Sequence, residues 1–286
     1  MMDRGVVSAG NRRRKKRKKL IGRTVLLMLL VAVGVGIYAG AKSLLGSDSA
    51  SGSELIVTEV VPFGTAAQVS QEKESPKEYN GLTRKVAYLT FDDGPSKYSN
   101  DMMDLLDKHN IKATYFMLGD NMRQYPDAVK RMMKDGHYPG LHSMTHDYAK
   151  LYKSGGSQNF INEFKEAQGI VEELTGFKPT MIRAPYGSAP QIGESFRKDI
   201  ADAGFKMWDW TLDSWDWKYI GQPNRVLEQV KVGLTEDVEV ILLHDRQQTL
   251  DALPAIIDYI QSKGYEFEVY DPNAHFVCNF HHDKRL

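Results

Sequence analysis

The stretch K-V-A-Y-L-T-F-D-D-G-P-S runs from Lys85 to Ser96 and carries an apolar run into two adjacent carboxylates. Val86 to Phe91 read as a buried strand, and Gly94-Pro95 end it. Neighbouring side chains on a strand point to opposite faces, so Asp92 and Asp93 are not expected to share one partner. A buried carboxylate is costly unless it is paired or bound to a metal. The pair therefore reads as two separate tasks at one strand end.

Outward from this strand, strand-like and helix-like segments alternate. Further strands are expected at 113–118, 137–142, 180–184, 206–212, 238–243 and 265–270, with starts roughly 25 to 45 residues apart. Helices are expected between them, for example over 100–109 and over 160–174, the latter closed by Thr175-Gly176. Seven such βα units give an α/β fold with a parallel sheet, open or closed into a barrel. In these folds the active site forms at the C-terminal ends of the strands.

Polar motifs fall at five of those ends: D-D-G-P from Asp92, H-S-M-T-H from His142, R-A-P-Y-G from Arg183, L-D-S-W-D-W from Leu212 and L-L-H-D from Leu242. Converging on one face, they argue for catalysis. His142 and His146 are spaced i, i+4, which on a helix sets both imidazoles on one side. With one aspartate of the first strand they make two imidazoles and one carboxylate. Such a set leaves a position open for water, as catalytic zinc sites do. The second aspartate is then free to act as general base. Spacing alone does not say which aspartate does which.

In this order, T-F-D-D-G, H-S-M-T-H, R-A-P-Y-G, D-S-W-D-W and L-L-H-D resemble the five signature motifs of the polysaccharide deacetylases, the NodB-homology domain of carbohydrate esterase family 4. The resemblance spans roughly residues 81–270 and implies a distorted parallel (β/α)7 barrel. It implies Asp92 as base and Asp93, His142 and His146 as ligands of one divalent metal ion, zinc first, with cobalt or nickel as alternatives. Arg183 would orient Asp92, and the Tyr186 N–H would stabilise the oxyanion. His244 would protonate the leaving amine, held charged by Asp216. Trp217 and Leu242 would wall the pocket, with Trp217 or Trp215 stacking on a sugar. Ala184 stands where a proline is common, and Leu141 precedes the histidine motif. Arg246 follows the last motif without an assigned partner.

The chain has 286 residues and no formal net charge, but eleven Lys and Arg against one acid lie in residues 1–42. Residues 43–286 carry 26 basic and 36 acidic residues, which argues against a nucleic-acid partner for the main domain. Eighteen uncharged, mostly apolar residues fill 24–41, enough for a bilayer-spanning helix with the basic segment 1–23 on the cytoplasmic side. The expected layout is a cytoplasmic tail (1–23), a transmembrane signal-anchor (24–41), an extracellular linker (42–80) and the deacetylase domain (81–286). Cleavage near Ala41 is the alternative and would release the protein. Cys278 is the only cysteine, so no intrachain disulfide forms. This layout points to a monomeric single-pass membrane protein acting outside the cell on a glycan of the wall. N-acetylglucosamine of peptidoglycan is the first substrate and N-acetylmuramic acid the second; chitin-like or poly-N-acetylglucosamine polymers and O-acetyl xylan are further candidates. Two rivals are a non-catalytic wall-binding module on the same fold, and a glycosidase using Asp92 and Asp216 as its carboxylate pair. Trp208 and Trp210 are read as packing residues. His275, His281 and His282 are read as part of a solvated polar tail.

Overall fold

The computed structural model describes residues 82–286 and three short strand pieces upstream, Val57–Thr58, Glu72–Lys73 and Glu78–Tyr79. The expected cytoplasmic tail, membrane anchor and most of the linker lie outside the described residues. Among the described residues, no helix is long and apolar enough to cross a membrane. Val57–Thr58 pairs antiparallel with Glu72–Lys73, and Glu78–Tyr79 with Leu82–Thr83. The described residues belong to one unit.

The main sheet holds eight strands: β1 (Lys85–Gly94), β2 (Thr114–Met117), β3 (Tyr138–Leu141), β4 (Met181–Ile182), β5 (Lys206–Met207), β6 (Leu212–Asp213), β7 (Val238–His244) and β8 (Tyr265–Glu268). They run in the order β6-β7-β1-β2-β3-β4-β5, and every pairing is parallel. β8 joins the start of β1, at Lys85 to Tyr88, below the place where β2 takes over at Thr90. Helices α1 (Ser99–Lys108), α2 (Gly119–Gln124), α3 (Pro126–Lys134), α4 (Tyr148–Tyr152), α5 (Ser157–Thr175), α6 (Glu194–Asp202), α7 (Pro223–Gly233) and α8 (Gln247–Ser262) connect the strands. Gly176 closes α5 as expected: at φ 74° it donates its N–H to the Glu172 carbonyl at 2.8 Å.

The arrangement is the expected distorted (β/α)7 barrel, curled but incompletely closed. The strand expected over 206–212 divides into β5 and β6, which end the sheet on opposite sides. Residues 208–211 cross the gap. Trp208 bridges to Cys278 instead, and the Thr211 N–H donates to the Val240 carbonyl at 2.9 Å.

Burial on both faces explains why β1 reads as a continuous apolar run. Ala87, Leu89 and Phe91 pack among helix residues such as Met102, Leu106 and Ile256. Val86 and Tyr88 face the other way, with Tyr138, Trp208, Val240 and Tyr270. Each large apolar side chain so buried contributes about 1.5–3 kcal/mol. The same alternation puts Thr90 and Asp92 on the inner face, at the top of the barrel.

The C-terminal segment differs from the expected solvated tail. Trp208 Nε1 donates to the Phe276 carbonyl at 2.9 Å, and the Asp209 N–H to that of Cys278 at 2.6 Å. Leu286 is fully buried. Burial lowers the His275 pKa to about 4, and His281 Nε2 lies 3.3 Å from the Ser188 carbonyl. The reason is geometric: the split between β5 and β6 leaves an inner face that this segment covers.

Candidate active site

The two aspartates meet at one site because the strand breaks its own alternation. In the pairing of β1 with β2, Asp92 faces Phe116 and Gly94 faces Met117, so Asp93 is an extra, unpaired residue. It forms a β-bulge at φ 68°. The bulge turns Asp93 back toward the side that Asp92 already faces. Asp92 Oδ2 lies 3.7 Å and Asp93 Oδ1 3.8 Å from the same nitrogen, His142 Nε2. The expectation that adjacent aspartates could not share a partner is thereby corrected.

The two histidines are not on a helix. They flank a loop between β3 and α4 in which Ser143 and His146 have φ of 71° and 57°. This loop brings the rings to 5.1 Å between centroids. Glu163 on α5 holds it by accepting from the N–H groups of Met144 and Thr145 at 3.1 Å and from Thr145 Oγ1 at 3.0 Å. Sequence reasoning passed over Glu163, since nothing marks one acid on a helix as the support of a distant loop. His142 Nδ1 donates to the Arg183 carbonyl at 2.8 Å, which leaves the lone pair on Nε2. Burial, then the neighbouring His142, lower the pKa of His146.

Arg183 leaves β4 fully buried beneath the site. Its guanidinium donates to Asp92 Oδ1 at 2.8 Å, Thr90 Oγ1 at 2.6 Å and the carbonyls of Trp208 and Asp209 at 3.2 and 2.7 Å. Asp92 Oδ2 is left toward the cavity. Past Arg183 the chain turns through Tyr186 at φ 67°. Among the described residues no acceptor takes the Tyr186 N–H. The Tyr186 hydroxyl donates to the His146 carbonyl at 3.0 Å, tying the arginine loop to the histidine loop. Asp209 braces the arginine loop from behind, accepting from Ser188 N at 2.8 Å, Ser188 Oγ at 2.5 Å and Phe280 N at 2.7 Å.

His244 ends β7. Its Nδ1 lies 2.7 Å from Asp216 Oδ1, and its backbone N–H donates to Asp216 Oδ2 at 2.6 Å. Burial opposes charge on His244, but the charge and hydrogen bond of Asp216 outweigh it and raise the pKa. Asp216 itself is completely buried and also accepts from Thr249 Oγ1 at 2.6 Å. It does not line the cavity. A glycosidase pair of Asp92 and Asp216 therefore fails on access.

The cavity above these groups measures about 350 Å³. Trp217, 46% exposed, and Leu242 line it as expected. Trp215 does not line it and packs against the core. Trp210, read as a packing residue, does line it, beside Ala184. Asp213 accepts from Trp217 Nε1 at 3.3 Å and from the Trp215 N–H at 2.9 Å, so it holds the Trp217 indole over the opening. Arg246 also borders the cavity and donates to Asp93 Oδ2 at 2.9 Å. It stood outside every motif, which is why the sequence left it without a role.

The donor set fits a divalent ion. Ligand atoms of Asp93, His142 and His146 all lie within 4.8 Å of one another. Asp93 Oδ1 stands 3.8 Å from both Nε2 atoms, too far for hydrogen bonds. Bonds of ~2.0–2.1 Å in a tetrahedron give an edge of roughly 3.3 Å, about half an ångström shorter than that spacing.

Comparisons agree with this geometry. A family model for polysaccharide deacetylase matches residues 79–208. A peptidoglycan-N-acetylglucosamine deacetylase of Bacillus cereus is 42% identical over 268 residues, which is 92% of this chain and 96% of that relative. The chain belongs to the polysaccharide deacetylase family. The crystal structure of a polysaccharide deacetylase from Bacillus cereus superposes with a TM-score of 0.68 at 46% identity, covering 71% of this chain and 100% of that one. The peptidoglycan-N-acetylmuramic acid deacetylase PdaC of Bacillus subtilis is 33% identical over 69% of this chain and 40% of its own length. Polysaccharide deacetylases of this family are metal-dependent hydrolases, and Asp93, His142 and His146 form a possible metal site of that kind.

Proposed function

We propose that this deacetylase hydrolyses the acetamido group of N-acetylglucosamine in peptidoglycan, releasing acetate and leaving a free amine. One observation carries the reading: the Asp93–His142–His146 cluster opens into the cavity that Asp92 and His244, paired at the ends of β1 and β7, also border. The 42% identical Bacillus cereus relative bears that activity in its name, which supports glucosamine as the sugar; N-acetylmuramic acid is the second candidate.

Asp93, His142 and His146 would hold the ion, zinc first. When bound, a divalent ion supplies Lewis acidity that acidifies water and polarises a carbonyl. Asp92, with Oδ1 held by Arg183, takes a proton from the attacking water through Oδ2. The water oxygen bonds to the acetyl carbon, and the Tyr186 N–H donates to the oxygen on which charge develops. The C–N bond breaks as His244, kept protonated by Asp216, gives its proton to the amine. Trp217 and Leu242 wall the acetyl methyl from water.

Residues 24–41 would anchor the chain in the cell membrane with the catalytic domain outside, or be removed near Ala41. Membrane fractionation beside N-terminal sequencing of the mature protein separates these outcomes.

The deciding measurement is acetate release from purified peptidoglycan by the full chain, with and without chelator, beside Asp92→Asn. The expected result is release that chelation abolishes, that added zinc or cobalt restores and that the variant lacks. Release that survives chelation, or that the variant retains, overturns the reading.

A further inference from the structure

Three consecutive residues, starting from the end of β7, divide between two sides. His244 and Arg246 border the cavity, and Asp245 between them points away. The Asp245 carboxylate accepts from Ser96 Oγ at 2.8 Å and binds Ser99 Oγ, and its N–H donates to the Asp92 carbonyl at 3.0 Å. A Cβ on Gly94 would come within 2.8 Å of Asp245 Oδ2, so the two strand ends are pressed together. The Arg246 N–H donates to the His244 carbonyl at 2.9 Å as the chain enters α8. Arg246 is thus delivered to the cavity by backbone bonds that also fix the aspartate strand.

Its guanidinium meets a carboxylate whose two oxygens are otherwise equivalent. Asp93 Oδ1 faces both imidazoles at 3.8 Å, and Oδ2 accepts from Arg246 Nη2 at 2.9 Å. The bond is charge-assisted and comes from Nη2 alone, so it fixes the place of Oδ2 while Oδ1 is left toward the histidines. As the extra residue of the bulge, Asp93 has no ladder position on β2. Its carbonyl is held separately, by Asn121 Nδ2 at 2.7 Å.

We propose that Arg246 is a positioning residue for Asp93. It holds Oδ2 so that a single oxygen faces the two histidines, and it thereby raises the affinity of the site for a divalent ion and keeps the second oxygen out of its coordination. The inference rests on the metal-site reading given above.

The test uses the full chain, stripped of metal and titrated with zinc alone against a chromophoric chelator. Arg246→Met and Arg246→Lys are compared with the unsubstituted chain and with His142→Ala. Removing an outer partner of a ligand costs about 10–100-fold in affinity, so Arg246→Met is expected to weaken zinc binding by that factor. Arg246→Lys, which keeps the charge but loses the rigid planar donor, is expected to fall between. The visible spectrum of the cobalt-loaded Arg246→Met protein is expected to change as the second oxygen enters. Melting temperatures of the metal-free proteins report whether the substitution acts through the fold; if Arg246→Met does not fold, Arg246→Lys decides alone. Zinc binding as tight as or tighter than that of the unsubstituted chain, or an unchanged cobalt spectrum, overturns the inference. A different failure marks the underlying reading: if the unsubstituted chain binds zinc no better than His142→Ala, the metal site itself is wrong, and the role of Arg246 falls with it.

Discussion

Asp216 grips His244 at two points, with one carboxylate oxygen on the ring nitrogen Nδ1 and the other on the backbone N–H. The pair orients the ring and biases it toward the charged form. Burial of His244 acts against that charge, and Asp216 more than offsets it. A general acid must be protonated, so activity is expected to fall as pH rises through the raised His244 pKa. Asp216→Asn keeps a similar shape without the charge. It is expected to move the alkaline limb of the kcat profile to lower pH, while His244→Ala loses ~10²–10⁴-fold in kcat. The stability sign is the same: the contribution of the pair is complete below the ordinary histidine value and fades as pH rises through the raised one. An alkaline limb that stays in place in Asp216→Asn would remove His244 as the acid.

Arg183 is a buried charge with four acceptors, one of them Asp92. Its removal leaves an uncompensated carboxylate in the core of the site. Arg183→Met is expected to destabilise the fold by about 3–5 kcal/mol, read as a lower urea midpoint. Arg183→Lys is expected to recover little, because one ammonium cannot reach acceptors spread around a planar fork. A midpoint within experimental scatter of the unsubstituted chain would contradict this account.

Glu163 supports the histidine loop without bordering the cavity. Glu163→Ala frees two backbone N–H groups in a loop that already holds Ser143 and His146 at positive φ. Zinc affinity is expected to drop roughly tenfold, with His146 displaced. A competition titration against a chromophoric chelator reads it directly, and unchanged affinity would show that the loop holds itself.

Asp213 and Trp217 should behave as a unit in substrate binding. Burial raises the Asp213 pKa, while the bonds from Trp215 and Trp217 act the other way. Asp213→Ala frees the indole, and KM is expected to rise about tenfold with kcat changed far less. Trp217→Ala is expected to match it, and the double variant to add little beyond either. Steady-state kinetics on one glycan substrate separate these outcomes; additive effects would mean that Asp213 has a task of its own.

Much of the fold was legible because β1, β2, β3 and β7 are short, largely apolar runs, all but β2 ended by polar motifs, and the spacing between them fits βα units. The split of 206–212 was hidden: Lys206 to Leu212 has strand composition throughout, and only the sheet ends decide where pairing stops. The C-terminal segment misled for a related reason. Its polar composition signals solvent, yet its carbonyls at Phe276 and Cys278 serve Trp208 and Asp209. At the site, the motif residues were legible as a set. Their geometry was not, because it rests on left-handed backbone at Asp93, Ser143, His146 and Tyr186, none of them glycine. Arg246 and Glu163 were invisible because single charges outside a motif take their meaning from the partners the fold brings to them.

The left-handed backbone at Asp93 also limits what inheritance can do there. Asparagine and glycine tolerate that conformation and lie one nucleotide change from aspartate, whereas β-branched residues do not tolerate it. A descendant that replaces Asp93 with asparagine or glycine would keep the bulge and the fold while losing the carboxylate. Loss of chemistry and loss of structure are therefore separable at this position, and a lineage of this chain has a short mutational path to a folded protein that grips glycan without cutting it.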